Sequence, residues 1–298
     1  MKKARIIKIT AIVIAAILVV YIGASVYGAH EAMEIPRLPL DENVSPADVG
    51  LEYEDISFTS RQDDVLLKGW YLPADGDCSI IIVHGGFQHR LDDNVDTLNL
   101  AHDLVAEGYG VLLFDLRGRG ESEGKGQALS NIDRDIGGAF DYLLAEGFPL
   151  ERIYIIGFCS GAASACIFAS QNSVGALVLD GCFADVYNMV DNQAALMGIP
   201  QFLVDFFTPG VFLMSRLFYD FELVNAQDVV ADVSCPIFFI HEENDELISL
   251  EEMQLLFELS TNPANQFWEV PDAEHSQSYK THPAEYIEKV DGFFSTLD

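Results

Sequence analysis

Residues 152–161 read Arg152-Ile-Tyr-Ile-Ile-Gly157-Phe158-Cys159-Ser160-Gly161, and Ala162 to Ser170 continue in small, helix-forming side chains. A run rich in β-branched and aromatic residues thus passes through Gly-x-Cys-x-Gly straight into a helix, the strand-turn-helix context of a nucleophile elbow. Glycines on either side let the chain turn sharply, so the middle residue, Cys159, projects above the sheet edge at the helix N-terminus. A free thiol titrates near about 8.5, and the positive end of a helix plus a neighbouring imidazole bring thiolate within reach of neutral pH. Ser160 offers a hydroxyl next door, but its place in the spacing assigns its backbone N–H to an oxyanion hole and leaves the attack to Cys159.

The same alternation extends outward in both directions. Tyr53 to Phe58 and Val65 to Leu72 form a strand pair around an Asp63-Asp64 turn. Ile80 to Val83, Val111 to Phe114, Ile153 to Ile156, Ala176 to Leu179, Ile237 to Ile240 and Gln266 to Val270 are apolar or nearly apolar runs of buried-strand length. Helical stretches intervene at about 95–107, 130–145, 160–170, 250–259 and 283–296. An opening hairpin followed by βα units implies an α/β fold with an eight-stranded, mostly parallel sheet and helices on both faces. Residues 186–231 are too long for a crossover loop and too apolar for a disordered one, and are expected to form a small helical cap.

Ordered features at successive strand ends resemble the α/β-hydrolase superfamily from about residue 50 onward, in particular its serine aminopeptidase-like and membrane-anchored esterase-like branches. They are Val83-His84-Gly85-Gly86, Asp115-Leu-Arg117-Gly118-Arg-Gly120-Glu-Ser122, the elbow, His241-Glu-Glu-Asn-Asp245 and Pro271-Asp-Ala-Glu-His275. The resemblance implies a nucleophile, acid, histidine order that falls on Cys159, Asp245 and His275. It puts the oxyanion hole at the backbone N–H groups of Ser160 and Gly86, with Phe87 the next candidate and a substrate-binding side chain. Asp180, at the end of the sixth strand, is the rival acid. Cysteine at the elbow resembles dienelactone hydrolase and favours esters, lactones or thioesters over amides, because an amine leaves a tetrahedral intermediate less readily than a thiolate. The expected function is hydrolysis through an acyl-cysteine intermediate, without cofactor or metal. The alternatives are a serine aminopeptidase-like peptidase and a catalytically inactive, membrane-tethered binding protein. His84 and the Arg117 to Gly120 turn read as structural. His241 with Asp245 lacks the second histidine or cysteine of a metal site. Cys182 follows the sixth strand as Cys159 follows the fifth, so a reversible Cys159–Cys182 disulfide is a further expectation.

The 298 residues are half hydrophobic, which excludes a disordered chain and supplies a large core. Charge is lopsided, with 16 Lys and Arg against 47 Asp and Glu, a net of -31. Lys2, Lys3, Arg5 and Lys8 precede residue 9 and no acid occurs before Glu31, so residues 30–298 keep only 12 bases against all 47 acids. Such a surface repels phosphate backbones, which excludes nucleic acid as a partner. Residues 9–29 carry no charge. At 1.5 Å per residue they span the hydrocarbon core, which is about 30 Å thick, and they exceed the apolar stretch of a cleaved signal peptide. The expected organisation is a basic cytoplasmic segment over 1–8, a transmembrane signal anchor over 9–29, a tether over 30–50 and a hydrolase domain over 51–298. The positive-inside rule then puts the domain outside a cell membrane, acting on a small ester or acyl substrate.

Overall fold

The computed structural model describes residues 2–41, 43–127 and 129–297. Helix α1 (Lys2–Met33) leads into the hairpin β1 (Glu54–Thr59) and β2 (Leu66–Leu72). Then come β3 (Ser79–Val83), α2 (Thr97–Ala106), β4 (Gly110–Phe114), α3 (Ile132–Ala145), β5 (Ile153–Phe158), α4 (Ser160–Gln171) and β6 (Ala176–Asp180). The cap follows as α5 (Val186–Leu196), α6 (Gln201–Tyr219) and α7 (Ala226–Val229), and the chain closes with β7 (Ile237–Glu242), α8 (Leu250–Leu259), β8 (Gln266–Val270), α9 (Ser278–Thr281) and α10 (Pro283–Ser295).

The strands form one sheet in the order β1-β2-β4-β3-β5-β6-β7-β8, antiparallel through β1, β2 and β4 and parallel elsewhere. Every residue of β3, β4, β5, β6 and β7 is buried, as continuous apolar runs require when helices cover both faces. Strand alternation divides those residues between two cores. Ile81, Val83, Leu112, Phe114, Ile155, Leu177, Leu179 and Phe239 face α3, α4 and α8, while Ile80, Ile82, Val111, Leu113, Ile156, Val178 and Ile240 face α2 and α10. Parallel register aligns the C-terminal strand ends, opposing Phe158 to Asp180 and Asp180 to Ile240. The residues that follow these strands therefore gather at one edge.

The segment read as a tether is docked instead. Helix α1 continues past residue 29, with Ala29 and Met33 wholly or almost wholly buried and Met33 inside the first core. Ile35 N–H donates to Gly126 O at 3.0 Å, and Arg37 Nη1 donates to Gly120 O at 2.8 Å. Leu40, Leu51 and Tyr53 pack against the second core. Ala29 and Met33 stand at i and i+4, one inward stripe among residues that otherwise look like linker.

Helix α1 also packs along α6. Tyr21 meets Phe206 and Phe207 with ring centroids 5.1 and 5.6 Å apart, and His30 Nδ1 lies 3.1 Å from Tyr219 Oη. Rising numbers on one helix meet rising numbers on the other, so the two run in the same direction.

Candidate active site

Cys159 joins β5 to α4 with φ 52° and ψ -117°, a conformation that side-chain-bearing residues rarely adopt. Two contacts pin it there. Its N–H donates to Asp180 O at 3.0 Å, and its carbonyl accepts from Ala163 N at 3.2 Å. Gly161 lets the helix start press against β3, since a Cβ there would come within 2.4 Å of Val83 O. Cys159 is partly exposed, whereas Ser160 is 4% exposed and its hydroxyl is buried.

His275 follows β8. Its Nδ1 donates to Asp245 Oδ2 at 2.6 Å, while Asp245 Oδ1 accepts from the amides of Leu247 and Ile248, both at 2.8 Å. Burial disfavours a charged ring, but the facing Cys159 sulfur and the Asp245 carboxylate outweigh it and hold His275 well above its ordinary value. Asp180, the rival acid, accepts from Ser278 Oγ at 3.1 Å.

Beneath the imidazole lies a second acidic centre, absent from the sequence reading. Asp180 ends β6 and Glu242 ends β7, and both are wholly buried. Burial raises both carboxyls, Asp180 to about 6 and Glu242 well above its ordinary range, the latter pushed further by the charge of Asp180. Asp180 and Glu242 hydrogen-bond to each other, with Glu242 carrying the proton and Asp180 accepting it, and the buried Tyr286 hydroxyl is a further partner of Asp180. Glu242 Oε1 accepts from Ser276 N at 2.6 Å. The pair thereby grips the loop on either side of residue 277, just beyond His275. Gly181, at φ 60°, holds a backbone conformation that strains any side-chain-bearing residue, and a Cβ there would press on His275 Cε1 at 3.1 Å and Glu242 Oε2 at 3.3 Å.

The loop after β3 is held by two groups. His84 Nδ1 donates to Gly85 O at 2.7 Å, and Nε2 accepts from Leu116 N at 3.1 Å. Burial pushes His84 down to about 3, so the ring is neutral with its tautomer fixed by these bonds. Arg119, fully buried, donates from Nε to Gly86 O at 3.0 Å and also from Nη2. C=O and N–H point oppositely across a trans peptide, so clamping Gly85 O and Gly86 O aims the amides of Gly86 and Phe87 away from the clamps. Gly85 lies beside Cys159, a Cβ there falling 3.7 Å from Cys159 Cβ. The amide of Ser160, in the first turn of α4, has no intrahelical acceptor. The Phe87 side chain is 62% exposed. Sequence reading found His84 as a structural residue but missed Arg119, whose signal was only its place in the Asp115 to Ser122 turn. In that turn Arg117 pairs with Asp135 and Asp63 at 2.7 and 2.6 Å, a structural use.

All five cysteines are free thiols, so the expected Cys159–Cys182 bridge is not formed. Cys182 is fully buried, its Sγ donates to Phe183 O at 3.6 Å, and burial raises its thiol well above the ordinary value. Among the described residues, His241, Glu242 and Asp245 bring ligand-type atoms within 4.8 Å of one another. Both Asp245 oxygens already accept from His275 and the two amides, leaving a metal too few donors of the kind it requires.

A model of the Alpha/beta hydrolase family matches residues 80–289. The chain is 25% identical over 257 residues to the alpha/beta hydrolase domain-containing protein WAV2 of Arabidopsis thaliana, covering 82% of this chain and 79% of that one. It is 26% identical over 245 residues to the uncharacterized protein YqkD of Bacillus subtilis, covering 78% and 76%. Among solved structures it resembles esterase Pf2001 of Pyrococcus furiosus, with a TM-score of 0.73 and 26% identity over 88% of this chain and 98% of that one.

Proposed function

The chain belongs to the alpha/beta hydrolase family, and from that premise we propose that it cleaves an ester, lactone or thioester through an acyl-cysteine formed on Cys159. It is a hydrolase of the alpha/beta-hydrolase type, and its likeness to an esterase supports ester-bond cleavage. One observation carries the cysteine mechanism: a partly exposed thiol at positive φ faces an imidazole that is held by a carboxylate at 2.6 Å and raised well above its ordinary value.

Each step follows from that arrangement. His275 holds the proton while the Cys159 thiolate attacks the acyl carbon, and the oxyanion is met by the Ser160 amide and by the amide of Gly86 or Phe87. Collapse of this intermediate forms the thioester and releases the alkoxide or thiolate, which takes the His275 proton. Water then gives a proton to His275, attacks the thioester carbon and expels Cys159, releasing the acid. Asp245 fixes the tautomer and stabilises the imidazolium throughout. Helix α1, long and apolar enough to cross a membrane, is the anchor, with the basic residues cytoplasmic and the catalytic domain outside.

Incubation with a series of p-nitrophenyl esters followed by mass spectrometry tests the mechanism. An acyl adduct on Cys159, with turnover lost in both Cys159→Ala and His275→Ala, is expected. Turnover undiminished in both variants would overturn the assignment.

A further inference from the structure

We propose that the N-terminal half of α6 and the turn joining it to α5 are immersed in the lipid bilayer beside α1, making the cap a membrane-inserted element. The proposal rests on the reading of α1 as a membrane anchor.

Length forces the question. The uncharged stretch of α1 begins at Ile9, and from Tyr21 onward the helix lies against α6. Ile9 to Val20 is twelve residues. They measure about 18 Å, whereas the hydrocarbon core is about 30 Å thick. The part of α1 free of the cap is too short to cross alone, so the bilayer must also take in the stretch packed on α6. Close approach makes the two helices one unit there. Gly28 lies against Val211, and Gly210 lies against Ser25 and Tyr21, with no room for a Cβ at either glycine.

The cap surface that would enter is suited to lipid. Phe202, Phe206, Leu213 and Leu217 are 69%, 54%, 53% and 63% exposed. Standing at i, i+4, i+11 and i+15, they form one stripe along α6. The preceding turn adds Leu196, Met197 and Ile199, and no charged residue occurs from Asn192 to Val204. Asp205 borders the stripe, and its Oδ1 accepts from Gln201 Nε2 at 3.0 Å. The stripe continues the exposed apolar surface of α1, where Ile17, Leu18 and Ile22 are 57%, 53% and 49% exposed. A bilayer that surrounds the anchor therefore covers both. Since the helices run the same way, Phe202 lies deeper than Phe206, and Leu217 nearest the outer surface.

The test places single tryptophans in the full chain, in phosphatidylcholine vesicles with either plain or brominated acyl chains. The native Trp70 and Trp268 are buried at 4% and 9% exposure and set the background. Val19→Trp reports on the anchor and Phe202→Trp on the cap. Leu150→Trp, at the opposite edge of the sheet, serves as the reference. Brominated lipid is expected to remove most of the added emission at positions 19 and 202 and none at 150, with Leu217→Trp less quenched than Phe202→Trp by bromine near the chain ends. Quenching at 19 without quenching at 202 would overturn the proposal and leave the anchor standing, with a second copy or water on the cap face. No quenching at 19 would overturn the anchor reading and the proposal with it. Equal quenching at 150 and 202 would overturn the proposal too, since the whole domain would then lie on lipid.

Discussion

Two acidic centres lie beneath the same imidazole, and burial does not distinguish them. The Asp245 side chain and Asp180 are both 0% exposed. They differ in donors. Asp245 meets His275 Nδ1 and two backbone amides, whereas Asp180 meets the hydroxyls of Ser278 and Tyr286 and the carboxyl of Glu242. With only hydroxyls and a second carboxyl for partners, burial lifts Asp180 to about 6 and Glu242 well above its ordinary range. The contrast divides the labour: one centre supplies charge to the ring, and the other holds the loop that carries it.

The largest effect should come from removing that charge. Asp245→Asn retains an oxygen for the Leu247 and Ile248 amides but turns an NH2 toward His275, favouring the wrong tautomer. A fall in kcat on the order of 10⁴-fold is expected, by analogy with the loss of a triad aspartate's charge. Asp180→Asn should remain within about tenfold of the wild type, because the group acts through the loop rather than on the ring. Ester-hydrolysis rates for both variants decide the matter. An equal collapse in Asp180→Asn would make Asp180 the acid that works on His275.

The carboxyl pair should instead appear in the pH dependence of stability. A carboxyl raised in the folded state keeps a proton that the unfolded chain releases, so its contribution is full below about pH 4 and is lost as pH rises through about 6. The double variant Asp180→Asn, Glu242→Gln preserves the shapes and the Ser276 and Ser278 contacts without titrating. Its stability relative to wild type should improve by at least about 3 kcal/mol between pH 4 and pH 8, the share of Asp180 alone, since each pH unit of a displaced titration is worth about 1.4 kcal/mol and Glu242 is displaced in the same direction. Chemical denaturation in detergent at both pH values measures this. A constant difference would mean that the pair does not hold its proton.

The same contrast explains what could be read from the chain. Cys159, Asp245 and His275 each stand in a contiguous motif at a strand end, and local pattern sufficed to bring them forward. The expected 250–259 helix coincides with α8 (Leu250–Leu259), because its apolar spacing and the Ser249 cap are both local. Glu242 read only as a spacer between His241 and Asp245. Its partner Asp180 lies in another strand, and the two meet through the register that opposes Asp180 to Ile240. Arg119 likewise gains its role from burial against a loop distant in sequence. The docking of residues 29–37 was hidden by its own composition. Glu31, Glu34 and Pro36 suggested a linker, although Ala29 and Met33 at helical spacing carried the signal.

The smallest expected effect probes one of the two hydroxyls that serve the pair. Ser278 is fully buried, and its Oγ donates to Asp180 Oδ1 at 3.1 Å. Ser278→Ala removes that donor, a loss of about 1–3 kcal/mol when the acceptor is charged and less when it is neutral. The destabilisation should therefore be larger at pH 8 than at pH 4, where the pair is fully protonated. Because Asp245 keeps its three donors, the tautomer of His275 is unaffected and kcat should change far less than in Asp245→Asn. Denaturation at the two pH values together with the ester-hydrolysis rate checks both halves. An equal loss of stability at pH 4 and pH 8 would mean that the hydroxyl serves packing rather than the charge of Asp180. A loss of kcat matching Asp245→Asn would erase the division between the two centres, because support of the loop and charge on the ring would then be one function.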